Sequence, residues 1–326
     1  NDTRVSSVIL LLMITGTTQL LGVIGNPVAH SASPRMQNMA LAQLGEDYKY
    51  VPLHMDSEDQ VCHFLNSMVV SNIHGVNITI PYKEAVMSVL QTGPNEVDSL
   101  GTIIGAVNTI VNEGDRLVGY NTDAMGFAGS VMLETGIEEP FKDKNVVMLG
   151  AGGAAKAIAY IIIQKQCRSL TILNRSADRA QSLADHLMEM LPLMAETIPG
   201  FQSPVILADN SLKDSVLVPL SEADCVINTT AVGMGKTEGQ LPVPSMEWVR
   251  KDQLCCDIIY TPLETEWLRQ IREKGARGLN GTGMLAAQGI LALELFTGRP
   301  HLLKDLYSNM VAEIQDQVKL TQAPRR

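Results

Sequence analysis

Residues Gly150-Ala151-Gly152-Gly153-Ala154-Ala155 stand between an apolar run, Val146–Leu149, and a helical periodicity reaching to about Gln166. Strand, glycine-rich turn and helix in this order make a phosphate-binding element. The glycines let the backbone approach the phosphates, and the helix N-terminus supplies N–H donors and a partial positive charge. Ala155 fills the third position of a GxGxx(G/A) fingerprint, where a small side chain allows close helix–strand packing. A plain tight turn fits the same letters. The flanking strand and helix favour a dinucleotide pyrophosphate.

A second short strand, Leu170–Leu173, follows the turn, placed where an NAD site carries Asp or Glu for the adenosine ribose hydroxyls. Here it ends in Asn174 and Arg175, with Ser176 and Arg179 close behind. A carboxylate there would repel a ribose 2′-phosphate. Arg175 and Arg179 instead offer planar, permanent charges matched to phosphate oxygens, and Asn174 and Ser176 add hydrogen-bonding groups. The competing reading is a solvated helix start in which Asp178 neutralises one arginine. The cofactor that this pattern selects is NADP.

These groups need a scaffold, and the rest of the chain describes one. Short apolar strands alternate with helical periodicities, which is the α/β pattern. Leu20–Ile24, Tyr48–Leu53 and Val76–Ile80 read as strands of a first part, with helices after Ser33 and Ser57, each serine a cap candidate. Strands at Val146–Leu149, Leu170–Leu173, Val205–Leu207, Cys225–Ile227 and Cys255–Ile259 then alternate with helices, as in a Rossmann-like, doubly wound parallel sheet. From Gly283 to Leu320 the pattern is helical, broken near Gly298 and Pro300. That last pair could extend the nucleotide unit or return to the first part. We expect two α/β domains with a cleft between them. The substrate-binding domain spans 13–122 plus 280–326, and the nucleotide-binding domain spans 123–279. Residues 1–12 read as an extension outside the fold, with Met13 a candidate start.

Composition narrows the classes of partner. A formal charge of −10 argues against a nucleic-acid backbone, so an anionic ligand must be met by local cations or oriented N–H groups. The apolar run Val8–Ile14 is too short to span a bilayer. Five cysteines, at 62, 167, 225, 255 and 256, form no CxxC or zinc spacing and fit a reducing, cytoplasmic setting. Adjacent Cys255 and Cys256 read as small buried hydrophobes. The histidines make no metal pattern, and no metal is expected.

Taken alone, Ser33 before Pro34 is an ordinary helix start, and Lys83 after Pro81 an ordinary surface lysine. As an ordered set, the motifs say more. Ser31-x-Ser33 is followed by Asn77-Ile-Thr-Ile-Pro-Tyr-Lys83, Gly105-Ala-Val-Asn-Thr109 and Asn121-Thr-Asp-Ala-Met-Gly126. The glycine turn and Asn174-Arg175-Ser176 come next, then Asn228–Met234, Asp257–Pro262 and Gly281–Gln288. From about residue 19 to 300 this series resembles the shikimate dehydrogenase family. Departures are minor: Ala124 where glycine is frequent, Ala231-Val232 before Gly233-Met234, and the extended N-terminus.

The resemblance implies NADPH-dependent, reversible reduction of 3-dehydroshikimate to shikimate, on the route to chorismate and the aromatic amino acids. It assigns Lys83 as proton donor and acceptor, working with Asp123. Ser31, Ser33 and Tyr260 would bind the substrate carboxylate, and Thr79, Asn108, Asp123 and Gln288 the ring hydroxyls. Gly150, Ala151, Gly152, Gly153, Ala154, Asn174, Arg175, Ser176, Arg179, Ile258 and Gly281 would hold NADP. His30, beside Ser31, is expected in a supporting role. Two alternatives stay open: a quinate/shikimate dehydrogenase using NAD or NADP, and a non-catalytic NADP-binding regulatory protein. The partner is a small molecule, with no nucleic acid or membrane, and the chain could be a monomer or a homodimer.

Overall fold

A computed structural model describes residues 14–209 and 217–322, so the expected extension at 1–12, and Met13, lie outside the described residues. The chain divides into two compact units, one built from the residues up to Thr122 together with Ala286 onward, the other from Asp123–Leu285. No helix among the described residues is long and apolar enough to cross a membrane.

The first unit holds a six-stranded mixed sheet in the order β2-β1-β3-β5-β6-β4. Its strands are β1 (Gln19–Gly25), β2 (Tyr48–His54), β3 (Ile73–Ile78), β4 (Glu96–Val97), β5 (Thr109–Asn112) and β6 (Leu117–Tyr120). β1 runs parallel to β2 and β3, whereas β5 is antiparallel to both β3 and β6. β3 starts and stops earlier than the expected 76–80. Thr79 still donates its N–H to the Ile24 carbonyl at 2.9 Å, as a last rung on β1, and Pro81 soon after has no N–H to continue a ladder.

Helix Glu58–Met68 follows the sequence expectation: Ser57 caps it by accepting from the Gln60 N–H, and Val61, Leu65 and Met68 form its buried stripe. Ser33 does not cap its helix. It is the first residue of Ser33–Leu44, after Ala32, and its own N–H donates to the Ser31 hydroxyl at 3.2 Å. With Pro34 next, one donor of that first turn is missing, so a cap has less to satisfy.

Helix Leu303–Gln322 buries Leu306, Met310, Ile314 and Val318 in one stripe and packs on Ser33–Leu44. Helix Thr282–Thr297 is joined to the same unit by two long-range bonds, from the Gln37 amide to the Gly289 carbonyl at 3.0 Å and between His74 Nε2 and the Phe296 carbonyl at 2.8 Å.

The second unit is a six-stranded, wholly parallel sheet in the order β12-β11-β10-β7-β8-β9. Its strands are β7 (Asn145–Leu149), β8 (Ser169–Leu173), β9 (Val205–Asp209), β10 (Cys225–Asn228), β11 (Leu254–Asp257) and β12 (Arg277–Leu279). This is the doubly wound order of a dinucleotide fold. Helix Gly153–Gln164 is buried nearly all round and packs against helix Asp123–Thr135, so its run of Ala and Ile reflects burial on several sides. Cys255 and Cys256 are buried in β11; burial pushes the Cys255 thiol well above its usual range, and a hydrogen bond with Cys225, together with burial, does the same for Cys256, as small core residues should behave.

The Phe296 ring lies against Gly75 in β3, where an added Cβ would come within 2.4 Å of a ring carbon. Phe296 is itself fully buried. Gly75→Ala should therefore overpack this contact and destabilise the first unit by about 1–3 kcal/mol, read as a lowered urea midpoint. A variant as stable as the parent would mean that the ring moves aside freely.

Candidate active site

At the seam between β7 and β10 the chain departs toward β8 and β9 on one side and later toward β11 and β12 on the other. Open α/β sheets bind ligands beyond the carboxyl ends of strands at such a switch point. Gly150 leaves β7 there with φ +107°, donates its N–H to the Leu173 carbonyl at 2.8 Å, and would bring a Cβ within 2.7 Å of Thr229 Oγ1. Only glycine suits that backbone.

Gly152 and Gly153 are different. A Cβ on either would meet nothing within 4 Å, and Gly152 caps helix Gly153–Gln164 without offering a side-chain acceptor. Ala151 and Ala154 are half-buried on either side. The turn thus leaves room over donors that no side chain caps. A dinucleotide pyrophosphate fits both conditions: it brings anionic oxygens to those N–H groups and fills space that side chains would take.

Asn174 follows the end of β8, and its side-chain amide donates to the Ser176 carbonyl at 3.1 Å. Ser176 caps helix Ala177–Thr197 by accepting from the Arg179 N–H at 3.4 Å, and its hydroxyl proton is still there to donate. Arg175 and Arg179 are exposed, and neither forms an ion pair among the described residues. Asp178 therefore does not neutralise them. Two fixed positive charges stand there, which a phosphate could meet.

Across the switch point, β10 and β11 end in a buried polar cluster. The Asn228 amide donates to Asp257 Oδ1 at 3.1 Å, and Asn228 Oδ1 accepts from the Thr230 hydroxyl at 2.7 Å. Asp257 Oδ1 also accepts from the Ile259 N–H at 3.1 Å, while its Oδ2 accepts from the Thr265 hydroxyl at 2.8 Å. Burial pushes the Asp257 carboxyl up to about 6, against the opposing pull of those hydrogen bonds. Tyr260, half-buried in the following loop, has its phenol raised by desolvation and so stays a neutral donor. Gly281 packs against the same loop: its N–H donates to the Ile259 carbonyl at 2.9 Å, and a Cβ there would sit 2.1 Å from the Ile258 carbonyl oxygen. The contact that demands glycine at 281 is therefore with the Ile258 backbone.

In the first unit, Asn108 gathers the predicted polar groups. Its amide donates to the Thr122 hydroxyl at 2.9 Å and to Gln288 Oε1 at 3.3 Å. Its Oδ1 accepts from the Thr122 N–H at 2.8 Å and the Thr109 hydroxyl at 3.1 Å. Behind it, the Asn77 amide donates to the Asn108 carbonyl and Thr109 Oγ1, and the Tyr50 hydroxyl donates to Asn77 Oδ1 at 2.7 Å. Asn108 and Gln288 are thus brought together, and Thr122 hands the chain directly to Asp123. Asp123 is buried and is the first residue of its helix, where the positive end of the helix dipole favours a carboxylate.

Thr79 stands at the end of β3, and its carbonyl accepts from the Tyr82 N–H at 3.0 Å. Lys83, half-buried in the turn that follows, is fixed through its backbone, its carbonyl accepting from the Val107 N–H at 2.9 Å. This joins the Lys83 turn to the segment bearing Asn108. The Tyr82 hydroxyl donates to the Met55 carbonyl at 2.6 Å and holds the turn from the other side. Ser31 Oγ accepts from the Ser33 N–H, and the Ser31 carbonyl accepts from the Gln317 amide at 3.4 Å. His30 is exposed.

Sequence reasoning missed Tyr50, Asn77, Thr109, Thr122 and Asp257 as parts of this arrangement. Their signal was there in one form, a polar side chain within or beside an apolar strand. Their partners, 13 to 32 residues away within the first unit's network, were not readable.

The raised Asp257 carboxyl has a thermodynamic consequence. An unfolded aspartate loses its proton near 3.8, the folded one near 6, so between those values the folded state binds more protons. Stability from this group is fully present below the lower value and is lost as pH rises through about 6. Relative to Asp257→Asn, which does not titrate, the parent protein should lose up to about 3 kcal/mol between pH 4 and 7, the free energy of that displacement. Denaturation curves of the two proteins at a series of pH values test this, and parallel pH dependences would refute it.

Comparison with known proteins finds relatives along most of the chain. The family model for the shikimate dehydrogenase substrate binding domain matches residues 23–110, and that for shikimate / quinate 5-dehydrogenase matches 133–199. The NADP(+) shikimate dehydrogenase of Methanosphaera stadtmanae is 39% identical over 287 residues, 88% of this chain and 94% of that protein. A shikimate dehydrogenase structure in complex with NADP+ aligns with a TM-score of 0.78 at 33% identity, covering 94% of this chain and 98% of the other. Shikimate 5-dehydrogenase from Thermus thermophilus, in complex with NADP(H) and shikimate, gives 0.76 at 30% identity over 92% and 100%. On fold, motif order and similarity along nearly its whole length, this chain belongs to the shikimate dehydrogenase family.

Proposed function

We propose that this protein is an NADP-dependent shikimate dehydrogenase, catalysing the reversible reduction of 3-dehydroshikimate to shikimate. The observation that carries the cofactor half is the pairing of an open, uncapped glycine turn with two exposed arginines that form no ion pair among the described residues. The substrate half rests on the cluster of polar side chains around Asn108, which suits a polyhydroxy acid and would reject an analogue lacking a hydroxyl. The five free cysteines suit a reducing compartment, so we place the reaction in the cytoplasm.

When bound, NADPH supplies the hydride. Residues 150–154 would hold its pyrophosphate, and Asn174, Arg175, Ser176 and Arg179 its 2′-phosphorylated ribose. Ser31 and Ser33, with the neutral phenol of Tyr260, would orient the substrate carboxylate. Thr79, Asn108, Asp123 and Gln288 would take the ring hydroxyls. The Lys83 ammonium donates a proton to the developing alkoxide and stabilises its charge, and in the reverse direction the amine accepts the alcohol proton. Asp123 orients Lys83 and accepts a hydrogen bond from the substrate.

Two measurements bear on this directly. Lys83→Ala should lower kcat by roughly 10²–10⁴-fold in an assay following NADPH absorbance with 3-dehydroshikimate, because a positioned acid contributes about that much. KM should move far less, the mark of an interaction made chiefly in the transition state. A near-normal kcat with a greatly raised KM would reassign Lys83 to binding. For the cofactor, Arg175→Ala should weaken NADP binding by about 1.5–3 kcal/mol, the range for a hydrogen bond to a charged group, and leave NAD binding nearly unchanged. Equal losses for both nucleotides in calorimetric titrations would show that Arg175 does not read the 2′-phosphate.

A further inference from the structure

Asp257 takes no part in the hydride or proton transfer proposed above, yet it is only 2% exposed and its carboxylate accepts from three separate places. Asn228 reaches it from the end of β10, Ile259 from the start of its own loop, and Thr265 from the cap of helix Glu266–Glu273. The loop 258–264 thus leaves and re-enters the core at a single carboxylate. Two further bonds hold its interior, from the Gly281 N–H to the Ile259 carbonyl and from the Asn280 amide to the Leu263 carbonyl at 2.8 Å.

Stability does not explain a carboxylate at this place. Burial works against its charge even with its bonds made, so a neutral side chain would be the cheaper occupant. What the charge provides is acceptor capacity on both oxygens, which a neutral amide cannot match. The loop so fixed carries Ile258 and Tyr260, and Tyr260 lies one residue beyond the pinned Ile259 N–H.

We propose that Asp257 is a positioning residue, whose carboxylate clamps both ends of loop 258–264 and thereby sets the Tyr260 phenol for the substrate carboxylate. This rests on the reading of Tyr260 as a substrate contact. A double-mutant cycle of Asp257→Asn and Tyr260→Phe, with hydrogen–deuterium exchange of the 258–264 peptide, tests the clamp and that reading separately. Asp257→Asn should raise the KM for shikimate about tenfold with a much smaller change in kcat. In the Tyr260→Phe background the same substitution should change KM by less than about threefold, since the clamp would act through the phenol that is no longer there and the two effects would couple.

Exchange should quicken in 258–264 while β10 and β11 keep their protection. If Asp257→Asn does not fold, Thr265→Val removes one donor and leaves the carboxylate, and it should give the same exchange pattern, with Thr265→Ser restoring the parent behaviour. Additive KM effects, an unchanged loop, or exchange rising equally through β10 and β11 would each overturn the proposal. A parent enzyme that fails to turn over shikimate with NADP would instead sink the functional reading, and loop exchange alone then decides whether Asp257 holds the clamp.

Discussion

A buried amide must find partners for both its oxygen and its nitrogen, and in the first unit that requirement is concentrated at Asn108. With 2% of its surface exposed, it takes hydrogen bonds from Thr109 and Thr122 and gives them to Thr122 and Gln288. Each partner lies on a different stretch of chain: β5, the link after β6, and the helix that returns from the far end of the sequence. Leaving any of these groups unpaired would cost about 1–3 kcal/mol, so they hold one another in a single arrangement. Lys83 and Asp123 inherit their positions from this network through their neighbours, Lys83 by its backbone bond to Val107 and Asp123 by following Thr122. Tyr50 and Asn77 serve as its rear support and need touch no ligand to matter.

The second unit solves its problem with backbone. Its glycine turn offers N–H groups and space, and Arg175 and Arg179 stand exposed to solvent. A buried network of side chains gathers at the end of β11, around Asp257. The division follows from the ligands. A pyrophosphate is a compact anion that several N–H groups recognise equally well. A ring bearing several hydroxyls must be distinguished from near relatives, and that takes side chains whose donors and acceptors are already committed in direction.

Local chemistry made the second unit legible. The glycine turn, the flanking strands and the Asn174-Arg175 pair each lie within a few residues, so their periodicity and residue types can be read without distant partners. The short strands β4, β5, β6 and β12 are two to four residues long and carry no pattern that separates them from loop. Ser33 looked like a cap because serine before proline usually is one. The structure uses Ser31 to receive its N–H instead, a choice made by the turn before the helix. The pair proposed for catalysis was read only through the order of the motifs, since Lys83 and Asp123 separately resemble a surface lysine and a helix start. Asp257 had a letter in a motif but no visible purpose, because its three donors arrive from β10, its own loop and a helix cap.

Because the first unit is interrupted by the second, the order of synthesis and the order of completion differ. Residues 123–285 form an uninterrupted stretch and can fold as soon as they have left the ribosome. The first unit cannot: helix Ser33–Leu44 packs on a helix that ends at Gln322. Translation proceeds at about 5–20 residues per second, so helix Ser33–Leu44 waits on the order of tens of seconds for that partner. The unit that begins first is finished last, and during that interval the nascent chain carries a folded nucleotide unit attached to an incomplete substrate unit. The tie between Gln37 and Gly289, 252 residues apart, is one of the bonds that must wait within that interval.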